Sequence, residues 1–256
     1  MLTSNGIETI KSMKPSLNHK TPSRDMATIK PLLEARIFAY DVLRRSFLEE
    51  PSHEYLKLLS KENLIGSFPF SEEDGEIQAG ICQVQSYLGR YDLESETNYN
   101  RLHWDFTRLF IGPYELQAPA WESAYLNKER LLFQEETLKV RLAYLKYAFL
   151  PKHFQHEADD HLGLELDFMY QLSVKTLQQC EKNSPDELQV ILEDQERFLQ
   201  EHLLRWVPSF QQNVCQHSDT EFYRGMSRIL HGFLRLDLEA LTELLEREDS
   251  GSVTSE

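Results

Sequence analysis

The chain has 256 residues, 41% hydrophobic and 27% charged, an ordinary globular composition long enough to bury a full core as one domain. With 42 acids against 27 bases the formal charge is −15, which disfavours a general nucleic-acid binder and favours basic partners. No apolar run approaches the roughly 18 to 20 residues needed to span a bilayer. The widely spaced Cys82, Cys180 and Cys215 form no CxxC pair, which argues against a disulfide framework or thiolate zinc site and fits a cytoplasmic protein.

Residues 1–30 are locally basic and rich in Ser, Thr, Lys and Pro, without the apolar stretch of a secretory signal. They read as a disordered tail, with Met26 as an alternative start, and residues 248–256 read as a second tail. Between them, Leu33, Ile37, Tyr40 and Phe47 mark a first helix; Tyr55, Leu56, Leu59 and Leu64 mark a second that Gly66 ends. Ser71, followed by Glu72, Glu73 and Asp74, is the expected N-cap of a third helix running to about Leu88. Tyr99, Leu102, Phe106, Leu109 and Phe110 define a fourth, stopped at Gly112-Pro113.

A loop to about residue 134 precedes a fifth helix from Glu135 to Phe149, and a sixth is expected from Asp159 to Cys180. Ser184-Pro185 launches a seventh to about Trp206, and a long final helix covers Thr220 to Arg247. Residues 31–247 thus read as one all-α domain of about eight or nine helices, without solenoid repeats.

Two blocks carry chemistry. The first, DFTRLFIGPYELQAPAWESAY (Asp105–Tyr125), passes from a helix into a loop stiffened by Pro113 and Pro119 that presents Trp121 beside Glu122. The second, HEADDHLGLELDFM (His156–Met169), crowds acids and histidines at a helix start. On a helical wheel His161 and Glu165 fall inside the apolar face one turn apart, Asp160 points away, and Asp159 lies at the edge. Two readings stay open: His161 and Glu165 are a buried polar pair pinning the Trp121 loop, or Asp159, Asp160 and His161 line the mouth of a groove for a cationic peptide. Asp105 and Arg108, three residues apart, read as a helix-surface ion pair.

Other chemistries find less support. His161 and Glu165 at i, i+4 could serve a helical metalloprotein or hydrolase, but His103, His153 and His156 fall in no HExxH or ExxH pattern. Ser123 has no GxSxG setting, and no Gly-rich phosphate loop occurs.

The DFTRLFIGP, PAWESAYL, DDHLGLELDFM and EHLLRWVPSF segments together resemble the TorD/DmsD family of chaperones for molybdenum oxidoreductases. The resemblance implies a non-enzymatic, all-helical cytoplasmic protein without a cofactor or metal of its own. Its expected partners are the twin-arginine leader, and the apoenzyme body, of a molybdopterin-containing client held back from export until the cofactor is inserted. Phe110, Pro119, Trp121 and Tyr125 are the expected apolar wall of the peptide site, with Glu122, Asp159, Asp160, His161 and Glu165 its polar part.

Overall fold

The computed structural model describes residues 26–61, 63–92, 95–113, 115–126, 135–151 and 157–249, so the expected tails lie almost wholly outside the described residues. Helix α1 (Met26–Phe47) takes in residues 26–30 of the expected N-terminal tail, and buries Leu33, Tyr40, Leu43 and Phe47 along one face. Helix α2 (His53–Lys61) buries Tyr55, Leu56 and Leu59. The next helix, α3 (Gly75–Arg90), is capped by Asp74 rather than Ser71: the Asp74 carboxylate accepts the backbone N–H groups of Glu76 and Ile77 at 2.8 and 2.9 Å.

Helix α4 (Glu96–Phe106) runs straight into a wide π turn, Thr107–Ile111. That turn closes where the Gly112 N–H meets the Thr107 carbonyl at 2.9 Å, with Gly112 at φ 102°, a value that favours glycine. A short α5 (Ser123–Leu126) follows, then α6 (Glu135–Lys146), α7 (Leu162–Glu181) and α8 (Pro185–Phe198). The sequence reading stopped the seventh helix near Trp206. Instead a second π turn, Leu199–Leu203, leads into α9 (Leu204–His217), which carries Pro208 inside it. The carbonyl that Pro208 cannot bond belongs to Leu204, at the junction itself, so the widened turn absorbs the break.

Helix α10 (Glu221–Asp249) buries Phe222, Tyr223, Met226, Ile229, Leu230, Phe233 and Leu234 in the one hydrophobic core. It crosses α3 where Gly80 and Gly225 face each other: a Cβ on either would stand 2.6 Å from the other's carbonyl oxygen. Across the core, Arg36 of α1 meets Asp237 of α10, with Tyr40 donating to Asp237 at 2.6 Å and Arg36 Nη2 to Gln195 of α8 at 2.6 Å; all four side chains are fully buried. Among the described residues there is no strand, and no helix is long and apolar enough to cross a membrane.

Candidate functional site

The Asp159-Asp160-His161 segment is not helical. Helix α7 begins at Leu162, and His161 is its N-cap, extended at φ −74° and ψ 132°, with Nδ1 accepting the Gly163 N–H at 3.1 Å. The wheel that turned Asp160 outward therefore does not apply to it. Asp160 is fully buried: Oδ2 accepts the Ser123 N–H and Oδ1 the Thr137 hydroxyl, both at 2.9 Å, while its carbonyl accepts the Glu122 N–H at 3.0 Å. The Leu162 N–H meets the Ala120 carbonyl at 2.8 Å, and an isolated antiparallel bridge joins Trp121 to His161. Asp159, also buried, is held by Arg141, and its carbonyl accepts the Tyr144 hydroxyl at 2.9 Å. These acids strap the first block, α6 and α7 together, and the expectation that they open onto a groove is corrected.

Glu122 and Glu165 are fully buried as well. His202 Nδ1 lies 2.9 Å from Glu122 Oε2, and Trp206 donates its indole N–H to Glu165 Oε2 at 3.3 Å. Burial, reinforced by the neighbouring Glu122 and Asp160 carboxyls, pushes Glu165 well above the usual 4.5 and so favours its protonated form. Glu122 Oε1 and Glu165 Oε1 are buried without a hydrogen-bond partner among the described residues, and Arg205 Nη1 stands 3.9 Å from Glu122 Oε1. Burial also lowers His161 below its usual 6.5, keeping Nδ1 available as a cap acceptor.

The Trp121 loop is thus pinned, as one reading required, with His161 joined to it by the bridge and Glu157 added as a partner of the indole. The Trp121 indole donates to Glu157 Oε1 at 2.8 Å, and its ring stands edge-on to His161 at 5.5 Å. Phe110 is no surface wall: it lies in an aromatic cluster with Phe47, Phe106, Phe210 and Tyr223. Of the nine expected site residues, Pro119, Trp121 and Tyr125 keep partly exposed side chains.

Among the described residues no group of three His, Cys, Asp or Glu could hold an ion, so His161 and Glu165 find no third ligand there. His103 pairs with Glu50 at 2.9 Å, while His153 and His156 lie outside the described residues.

A different part of the first block faces open space. A cleft of about 910 Å³ lies between α3, α4 and the start of α10, floored by Asp105 and walled by Trp104, Arg108, Gly112, Pro113, Glu115 and Gln117. Asp105 is not the surface partner expected. It is buried, and besides Arg108 it accepts the Ser218 and Thr220 hydroxyls at 2.7 Å and the Asp219 and Thr220 N–H groups at 3.0 and 2.9 Å. The wide turn and α10 are fastened there. Around the rim, Asp219 pairs with Arg108 at 2.8 Å and Glu221 with Arg90 at 3.4 Å, while Trp104 is 65% exposed. Sequence reasoning missed these residues because the segment entering α10 brings Asp219, Thr220, Glu221 and Arg224 to the cleft from the far end of the chain. An apolar Trp104 on the polar side of α4 was the one local signal.

Residues 71–212 match the family model described as nitrate reductase delta subunit. The chain is similar to the chaperone protein TorD of Aliivibrio fischeri (strain ATCC 700601 / ES114), 32% identical over 66% of this chain and 75% of that protein. It is also similar to the chaperone protein TorD of Aliivibrio salmonicida (strain LFI1238), 30% identical over 81% and 95%, and to that of Vibrio vulnificus (strain YJ016), 28% identical over 84% and 99%.

Proposed function

The chain belongs to the nitrate reductase delta subunit family as a TorD-type chaperone of redox-enzyme maturation, and on that premise we propose what it holds. It binds, in the cytoplasm, the twin-arginine leader and the apoenzyme of a molybdenum-dependent oxidoreductase, delaying export until the cofactor is in place. One observation carries the docking mode: an exposed indole, Trp104, stands at a cleft whose rim acids already take guanidinium groups of their own chain.

Exposed ion pairs are worth about 0 to 1 kcal/mol each, so exchanging Arg108 or Arg90 for a leader arginine costs little. The incoming guanidinium can stack on Trp104 as it pairs with Asp219 or Glu221. From Gln117 in the cleft wall to Trp121 is four residues, at most about 14 Å of chain. The partly exposed Pro119, Trp121 and Tyr125 are therefore within reach of the apolar stretch that follows the arginines. In this reading Glu122, Asp159, Asp160, His161 and Glu165 shape the loop from beneath rather than touch the peptide.

Titration calorimetry with a synthetic twin-arginine leader tests it. Trp104→Ala should weaken binding about 2- to 30-fold, the worth of one cation–π contact, and a leader with both arginines changed to lysine should bind less tightly. No binding by folded, monodisperse protein, or binding indifferent to Trp104→Ala, would refute the docking mode.

A further inference from the structure

The cleft beside Trp104 has a second end, which the docking of an arginine leaves unused. Four arginines line the cleft, and three of them are committed within the chain: Arg90 to Glu221, Arg108 to Asp105 and Asp219, and Arg224 to the Ser218 carbonyl at 2.6 and 3.0 Å. Arg101 differs. Its guanidinium stands over the Tyr91 ring, 5.5 Å from the centroid, and forms no ion pair among the described residues. Stacking takes up one face of the guanidinium plane and leaves its N–H edge to donate.

Tyr87 packs on the same ring, with centroids 4.9 Å apart, and lines the same cleft. It is only 3% exposed, yet its hydroxyl makes no hydrogen bond among the described residues. Burial, reinforced by Tyr91 and Asp105 and opposed by Arg101, pushes the phenol up to about 12, so it holds a proton that it can donate. A buried hydroxyl that folding leaves without a partner is uncommon. Two donors, one cationic and one neutral, thus stand together where the described residues supply no acceptor.

Their place in the cleft fixes what they meet. Arg101, Trp104 and Arg108 follow one another at intervals of three and four residues, along one face of α4 and the wide turn that continues it. With a leader arginine on Trp104 and the apolar stretch after it running toward Gln117 and Trp121, the residues ahead of that arginine run back toward Arg101. Three residues of helix rise about 4.5 Å, and each residue of an extended peptide spans about 3.3 to 3.6 Å. A side chain one to three positions ahead of the arginine therefore reaches it.

We propose that Arg101 and the Tyr87 hydroxyl form a carboxylate subsite, which selects leaders carrying Asp or Glu one to three positions ahead of the arginines. The inference rests on the leader-binding reading above. A carboxylate can accept from both donors at once. The cleft then reads an acid followed by a base, an order that a merely cationic peptide does not supply.

Titration calorimetry tests it with synthetic twin-arginine leaders, one carrying Asn at all three positions ahead of the arginines and three carrying Asp at one of them. At least one Asp leader should bind roughly 3- to 30-fold tighter than the Asn parent, between the worth of an exposed ion pair and that of a charge-assisted hydrogen bond. Asp placed about eight positions ahead should bring no gain, since the net charge of −15 opposes added negative charge. Arg101→Gln and Tyr87→Phe should each bring the Asp-to-Asn ratio, read within the same variant, down toward one. Tyr87→Phe should melt at the same temperature or higher, because the lost hydroxyl bonds nothing in the chain. No binding of any leader would refute the leader reading and the subsite with it. Leaders that all bind, with no Asp leader tighter than the parent, would refute the subsite alone. A preference that survives either variant also overturns it.

Discussion

At the scale of single residues, the buried carboxyl groups beneath the Trp121 loop decide whether the loop holds. Removing Asp160 leaves the Ser123 N–H and the Thr137 hydroxyl buried without acceptors. Each orphan costs about 1 to 3 kcal/mol, so Asp160→Ala should lower stability in urea denaturation by about 2 to 6 kcal/mol. A loss under about 0.5 kcal/mol, typical of an exposed position, would disprove the strap. Glu165 makes a separate prediction through pH. Its folded value is raised above 4.5, so the folded state binds more protons than the unfolded one once pH passes about 4.5. This contribution to stability is fully present below that value and declines as pH rises through the folded pKa. Glu165→Gln should therefore lose less stability than the parent as pH rises above about 5, as read from denaturation midpoints. Equal pH slopes for the two proteins would rule out the raised value.

At the scale of elements, the fold depends on close helix crossings. A Cβ on Gly163 would meet Leu48 Cα at 2.3 Å and its Cβ at 2.7 Å, so α7 lies against the chain at the end of α1 with no room for a methyl group. Gly163→Ala forces the backbones apart, and overpacking of this kind costs about 1 to 3 kcal/mol, against the gain that alanine brings to a helix. Gly89, in α3, would meet nothing within 4 Å. Gly89→Ala should be neutral or stabilising by up to about 1 kcal/mol, and thermal melts of the pair separate packing from propensity. If both variants melt alike, the α7 contact is looser than the geometry states. The two π turns belong to this scale too, one placing Thr107 and Arg108 on the cleft next to Trp104 of α4, the other carrying α8 into α9 past Pro208.

At the scale of the whole molecule, charge sets the approach of a ligand and long-range contacts set the frame. A net charge of −15 attracts a basic leader over a Debye length of about 10 Å at 0.1 M salt, shrinking to about 3 Å at 1 M. Leader affinity should fall steadily as salt rises, and calorimetry showing salt-independent binding would mean that apolar contact alone drives it. The frame rests on pairs such as Arg36 with Asp237, which lie 201 positions apart and seat α1 on α10.

The sequence by itself determined the helical class, most helix positions and the family, because 3.6-residue periodicity, caps and ordered motif blocks are properties of neighbouring residues. The Ser184-Pro185 start and the stop at Gly112 held for that reason. Trp121 lies outside the helices, as its neighbouring prolines predict, whereas Tyr125, expected on the same loop, falls in the short helix α5. Only tertiary structure decided which acids reach solvent. Asp160 reads like a surface charge until α6 supplies the Thr137 hydroxyl and the first block the Ser123 amide, and Asp105 reads like half of a surface pair until the start of α10 folds onto it. A carboxylate is buried only where donors from distant parts of the chain compensate its lost hydration. Those donors have no periodicity to read, so the acids of the second block looked available and the cleft beside Trp104 stayed hidden.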